Sequence, residues 1–376
     1  MGTPQIARLA DSDADFERFN VVRNRPAPRE DTLRTNGSKG SFEWWYTDAA
    51  FEDGTTVVVI FFAKNYFDVS GPAWPTVDFE VTNKNGERVN VFVQGEKGRV
   101  VSSAKNACDV RIEDCFIRWQ EDGSYHVRYK DASITYDAIM RPKVPMWRPG
   151  SGYWLYGEGK REKQFGWFVA LPEAIVDATL SMDGAMRTLS GGHGYHDHNW
   201  GNVSLDYIFN HWYWGRAKVG EYNVIISDMI LHKRYGNKRL MSFMCAQGDA
   251  IVSDDSHITK AERSGTRIHP KTGKFIDDSI KIIQHVSDDE EYVISLDRKY
   301  DIMYRSLLEV VSPLKRKLAQ MVGINPTYLR IGGDVTLTVK KDGKVETHTQ
   351  EGLWEQYFTG SNKYPTIEGV TYKLDE

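Results

Sequence analysis

Cysteine is scarce in this chain of 376 residues: Cys108, Cys115 and Cys245 are the only three. An odd count without C-x-x-C spacing supports neither a disulfide framework nor a cysteine zinc site, and points to core thiols in a reducing compartment. Neither sign of charge prevails, since 48 Lys+Arg stand against 52 Asp+Glu for a net charge of -4. No strong field therefore favours a nucleic acid or an anionic membrane surface as partner. Long hydrophobic runs are missing as well. The longest, Thr55 to Ala63, is far shorter than the ~20 residues of a membrane helix. The chain opens Met1-Gly2-Thr3-Pro4 without an apolar signal core, so the expectation is a soluble cytoplasmic protein with no membrane insertion. Helical periodicity is rare. It is convincing only over Ile302 to Val322, where Leu307, Leu308, Val311, Leu314, Leu318 and Met321 recur at helical spacing and Pro313 kinks or splits the run.

Aromatic residues, by contrast, are plentiful: 11 Trp, 19 Tyr and 16 Phe make up 12% of the sequence, enough for a large core, a large apolar cavity, or both. Turn signals recur at Asp53-Gly54, Asn85-Gly86, Asp122-Gly123, Asp183-Gly184 and Asp342-Gly343. Each is flanked by alternating or β-branched and aromatic runs, the signature of successive hairpins. Thr55 to Phe62 reads as a strand apolar on both faces, while Thr76 to Thr82, Arg88 to Gln94 and Asp109 to Trp119 alternate. Residues 1–38 are polar, with Pro26 and Pro28, and read as a tail. The length suggests two domains, 39–200 and 201–376. Phe42-Glu-Trp-Trp-Tyr-Thr47 is faintly echoed by His211-Trp-Tyr-Trp-Gly215, which fits a duplication. The predicted fold class is all-β: two antiparallel β-barrel domains with one notable helix in the C-terminal domain.

The densest chemistry lies in Gly191-Gly-His-Gly-Tyr-His-Asp-His-Asn-Trp-Gly201. In an extended strand, His196, His198 and Trp200 share one face, and Tyr195, Asp197 and Asn199 the other. His193, His196, Asp197 and His198 are ordinary metal-ligand types, yet no third ligand stands at a familiar spacing, so no metal is expected. The plainer reading is a buried polar network in which Asp197 fixes a histidine tautomer. No nucleotide motif is present, and no cofactor is expected. Asp228 interrupts an otherwise apolar strand, Val224, Ile225, Ile226, Met229, Ile230, Leu231. Either it is a carboxylic acid held neutral by desolvation and able to give up a proton, or it is salt-bridged, for instance to Arg216 or His232. Trp44, Trp45 and Tyr46 cannot all face one way, nor can Trp212, Tyr213 and Trp214. In each run at least one ring packs in the core and at least one can line a ligand site.

Glu43-Trp-Trp-Tyr46, Gly194-Tyr-His-Asp-His-Asn-Trp-Gly201 and Trp212-Tyr-Trp-Gly-Arg216 resemble the carotenoid 1,2-hydratase (hydroxyneurosporene synthase) superfamily, tandem lipocalin-like proteins that also include fungal Diels-Alderases. The resemblance spans about residues 40 to 360. It implies two lipocalin-like barrels and an enzyme that binds a lipophilic polyene or terpenoid between them, acting on a carbon–carbon double bond by acid–base hydration, isomerisation or cyclisation. In this frame Asp228 supplies the proton, His198 orients or deprotonates water and Trp200 faces the developing cation. Trp44, Trp45, Tyr46, His196, Trp212, Trp214 and Arg216 would contact the ligand. Hydratases usually carry a tyrosine two residues before the carboxylate, where Ile226 stands here. The alternatives are a Diels-Alderase-type pericyclase of natural-product biosynthesis and a non-catalytic carrier of a lipophilic ligand. The sequence leaves the oligomeric state open.

Overall fold

Strands dominate the computed structural model, which describes residues 5–99, 101, 106–306, 308, 316–318, 321 and 325–359. The chain adopts the all-β class expected from the hairpin pattern, in the lipocalin-like form that the resemblance implies. It divides into two compact units, Arg8–Ser204 and Leu205–Glu376, the latter together with Met1–Ala7.

In the first unit a 12-stranded antiparallel sheet runs Arg88–Gln94, Thr76–Thr82, Thr56–Lys64, Phe42–Ala50, Ala185–Gly201, Lys163–Met182, Ile134–Pro142, Tyr125–Lys130, Cys115–Trp119, Asp109–Ile112, with two short strands off this path. The second unit holds a 9-stranded antiparallel sheet in the order Ala250–Ser253, Arg239–Gln247, Tyr222–Leu231, Phe209–Val219, Lys344–Phe358, Thr327–Lys341, Glu290–Ser306, Ser279–Ser287, Thr259–Ser264. The Asp-Gly signals act as their chemistry dictates. At Asp183-Gly184 and Asp342-Gly343 both residues have positive φ, the mirror-image turn whose twist matches the strands it joins.

Each sheet curls around its own apolar core. Trp45, Phe61, Phe79, Ile117, Tyr125, Tyr129 and Phe168 fill the first, while Tyr213, Phe243, Ile282, Ile294, Leu337 and Trp354 fill the second. Most of these residues alternate along their strands with half-buried or exposed neighbours, as a period of two requires, while Phe168 and Phe243 lie in stretches buried on both faces.

Two expectations need correction. Residues 1–38 are not simply a tail: Asp13–Arg18 is helical with a capping box at Ser12, and Arg8 onward packs into the first unit. The anchor is ionic, since Arg148 Nε donates to Glu30 Oε2 at 2.5 Å with both side chains buried, and Arg148 Nη2 donates to the carbonyl of Val22 at 2.7 Å. Composition could not reveal this, because the partner lies far along the chain. The helix expected over 302–322 also begins wrongly. Ile302 to Ser306 end the Glu290–Ser306 strand, held in register by Thr327–Lys341. Beyond them only Leu308, 316–318 and Met321 are described, the last four helical, and the rest of that run lies outside the described residues.

Candidate functional site

In the first unit, Phe42–Ala50 pairs with Ala185–Gly201, so that Trp45 lies opposite His198 and Glu43 opposite Trp200. Alternation turns His196, His198 and Trp200 inward, as predicted, and all three are buried. His198 is flanked by two carboxylates: its Nε2 lies 2.9 Å from Glu43 Oε1 and its Nδ1 3.2 Å from Asp31 Oδ1. His196 offers Nδ1 to the carbonyl of Tyr46 at 2.8 Å and Nε2 to Asp31 Oδ2 at 3.0 Å. Tyr125 Oη donates to the same Asp31 oxygen at 2.7 Å. Glu43 in turn accepts from the backbone N–H groups of Arg34 and Thr35 at 2.6 and 2.7 Å.

The electrostatics follow from this arrangement. Burial opposes charge on His198, but hydrogen bonds and attraction from Asp31 and Glu43 outweigh it and raise its pKa. Burial likewise pushes the Asp31 carboxyl up, and His196 and His198 overcome it, holding the group well below the carboxylate range. The aromatic frame is tight. Trp45 stacks on His198 with centroids 4.3 Å apart, and Trp200 stands 4.7 Å from the same imidazole. Trp200 also lies across Gly166, its partner on the neighbouring strand, where an added Cβ would come within 2.0 Å of the indole. Asp31, Cys108 and His196 place ligand-type atoms within 4.8 Å of one another. An ion there would have to displace a bond of His196, whose two ring nitrogens already meet the Tyr46 carbonyl and Asp31 Oδ2.

The other face of these strands carries Trp44, Tyr46, Tyr195, Asp197 and Asn199. Asp197 does not fix a histidine. Its Oδ2 accepts from Trp167 Nε1 at 2.9 Å and Tyr195 Oη at 2.8 Å, and its Oδ1 from Asn199 Nδ2 at 2.9 Å. The tautomer-setting carboxylates are Asp31 and Glu43.

In the second unit, Asp228 is fully buried beside Tyr213, its partner in the sheet. Arg239 grips it in bidentate fashion, Nε to Oδ1 at 2.7 Å and Nη2 to Oδ2 at 2.6 Å, and Arg263 Nη2 donates to Oδ2 at 2.5 Å. Of the two alternatives for Asp228, the salt bridge is found, with Arg239 and Arg263 in place of Arg216 or His232. Desolvation would raise the carboxyl, but the two guanidinium groups hold it well below its ordinary range. Asp228 is an anchored anion and not a neutral acid. Around it, Arg263 Nη1 approaches His211 Nε2 at 3.3 Å, and His211 Nδ1 meets Asn210 Oδ1 at 2.9 Å. Burial first and Arg263 second push the His211 imidazole well down, so it is neutral. Asp277, bonded to Thr266 Oγ1 at 2.5 Å and Tyr213 Oη at 3.0 Å, is raised chiefly by burial.

The opposite face of the same sheet is aromatic. Trp212, Trp214 and Arg216 point there, half-buried, while Tyr213 points to the core. Trp212 stacks flat on Tyr357 with centroids 4.2 Å apart and planes within 2°. A small apolar pocket bordered by Arg216, Ala217, Val224, Ile226, Ile294 and Leu296 lies instead on the core side, among the residues that fill the second sheet. Glu355 lies between Trp214 and Arg330 in the register, and burial raises its carboxyl against the opposing pull of Tyr328, Arg330 and Trp212.

The predicted site residues thus fall in both units: Trp44, Trp45, Tyr46, His196, His198 and Trp200 in the first, Trp212, Trp214, Arg216 and Asp228 in the second. Asp31, Arg239, Arg263, Asp277 and Glu355 were not singled out from the sequence. For Glu355 the signal was present, as an acid in the alternating run Leu353-Trp-Glu-Gln-Tyr357.

Comparison with known proteins supports the resemblance. The family model described as carotenoid hydratase CrtC matches residues 158–296, a stretch that holds the Gly194–Gly201 motif, the 212–216 run and Asp228. The chain is similar to the quinolone epoxide rearrangement protein asqO of Emericella nidulans, at 23% identity over 65% of this chain and 68% of that protein. It is also similar to the acyclic carotenoid 1,2-hydratase of Rubrivivax gelatinosus, at 23% identity over 53% of this chain and only 50% of that one. Kievitone hydratase from Nectria haematococca shares the fold, with a TM-score of 0.54 and 14% identity over 95% of this chain and 98% of its own. Among the described residues no helix is long and apolar enough to cross a membrane.

Proposed function

We propose that this chain is an enzyme acting on a carbon–carbon double bond of a lipophilic polyene or terpenoid by acid–base hydration, isomerisation or cyclisation. The observation that carries this is the outward aromatic face of the second sheet. Strand alternation there presents Trp212, Trp214 and Tyr357 beside Arg216, Glu355 and Arg330. Flat rings bind flat conjugated chains, and indole faces stabilise a passing cation. The names of the relatives, a carotenoid hydratase and an epoxide rearrangement protein, describe reactions that add to or reorganise a neutral lipophilic skeleton.

The substrate is an apolar chain laid on this face. An acid gives a proton to one alkene carbon, the rings stabilise charge at the other, and water or an internal double bond closes the sequence. Asp228 is not that acid, because its proton is displaced by two arginines. This one observation gives weight to a second reading, a pericyclase that gains rate from orientation and hydrogen bonding without proton transfer.

The test is incubation of the purified chain with an acyclic carotenoid, followed by mass spectrometry and tryptophan fluorescence. Quenching, together with a product heavier by one water or of equal mass and altered chromatographic mobility, is expected. Neither binding nor conversion across acyclic polyenes would remove the proposal.

A further inference from the structure

Resting on the reading of alkene chemistry just given, we propose that Glu355 is the residue that delivers the proton to the substrate double bond. Its position sets it apart from the other buried acids. Glu355 occupies the Lys344–Phe358 strand with Trp214 directly across on one side and Arg330 on the other. Tyr357, stacked on Trp212, follows two residues along the same face. Glu355 therefore sits half-buried in a ring-lined face of the sheet.

A proton donor must be neutral before transfer and tolerated as an anion afterwards. Burial among the rings raises the Glu355 carboxyl, against the opposing pull of Tyr328, Arg330 and Trp212. Once the proton has left, those same groups receive the negative charge. Arg330 stands directly across from Glu355, and its Nε donates to Tyr328 Oη at 3.2 Å. Besides Arg330, this face carries Arg216, one row along opposite Leu353, and Arg305, opposite Tyr328. The step balances: the alkene π pair takes the Glu355 proton to form a C–H bond, the cation at the second carbon accepts water, and the oxonium loses its proton to the Glu355 carboxylate.

The competing acids lack one requirement or the other. Asp228 is ionised. Asp277 is raised, but Thr266 and Tyr213 enclose it in the barrel core. Asp78 is pushed up to about 6, by burial and then by Glu80, and its row holds Ile60 and Phe92, which cannot receive the charge it would leave.

The experiment compares the full chain with E355Q, using D78N as control and an acyclic carotenoid as probe. In E355Q, kcat should fall by about 100-fold or more with KM within about twofold. The alkaline limb of the wild-type pH profile should vanish with it, while D78N retains both. Infrared spectra should show a protonated carboxyl band at neutral pH in wild type and not in E355Q. Should E355Q unfold by circular dichroism, E355D should keep the alkaline limb at reduced rate. Turnover in E355Q near the wild-type level overturns the assignment, as does an infrared band unchanged by the substitution. If wild type converts no polyene, the alkene reading fails by itself. The infrared band then still decides whether Glu355 is held as a neutral acid.

Discussion

The two units solve one problem with different cations. Each buries a carboxylate on the inner face of its sheet, next to a run of three aromatic residues whose middle ring points inward and whose outer rings point away: Trp44-Trp45-Tyr46 in one, Trp212-Tyr213-Trp214 in the other. In the first unit Asp31 is neutralised by the imidazoles of His196 and His198. In the second, Asp228 is neutralised by the guanidinium groups of Arg239 and Arg263. An imidazole can shed its proton near neutral pH, and a guanidinium cannot. One anchor can therefore relax when its carboxylate is lost or the pH rises, and the other cannot.

The largest expected effect follows directly. Asp228→Asn leaves the buried Arg263 and the partly buried Arg239 short of a counter-charge, although Asp277 lies 3.5 Å from Arg263. It should cost about 3–5 kcal/mol in denaturant unfolding. Asp31→Asn, whose partner His198 can become neutral, should cost less, about 1–3 kcal/mol. Equal losses, or the reverse order, would break the comparison.

A smaller effect comes from pH. The folded pKa of His198 is raised, so its contribution to stability is fully present below the unfolded value of about 6.5 and is lost as pH rises through the folded value. The folded pKa of Asp228 is depressed. Its contribution is present above the unfolded value of about 3.9 and is lost only as pH falls through the folded one. Mild alkali should therefore lower the amide-exchange protection factors, with the intrinsic base-catalysed rate divided out, in the 42–50 and 185–201 strands while leaving those of 222–231 unchanged. Uniform exchange across both would remove the distinction between the two anchors.

Much of the fold was legible because its signals are local. Hairpin turns need residues that accept positive φ, and Asp183-Gly184 and Asp342-Gly343 supply them. A period of two correctly divided Trp45 from Trp44 and Tyr46, and His196 and His198 from Asp197. The partners of those residues were not legible, because each comes from a distant strand or from the N-terminal segment. Asp31 lies eleven positions before the first long strand, in a stretch whose composition says only that it is polar. Arg239 and Arg263 look like ordinary strand charges until the register brings them to Asp228. Glu355 shows its face by alternation, but its flanking by Trp214 and Arg330 depends on pairings across three strands.

The central claim is that chemistry proceeds by delivery of a proton to carbon, and it is tested most directly by turnover of an acyclic polyene in deuterium oxide. Protonation of an alkene carbon places solvent deuterium in a non-exchangeable C–D bond of the product, visible by mass spectrometry and by proton NMR at the reacting position. One such deuterium per turnover is predicted for wild type. Product formed at the wild-type rate with no deuterium on carbon would contradict proton delivery and leave a pericyclic reaction in its place.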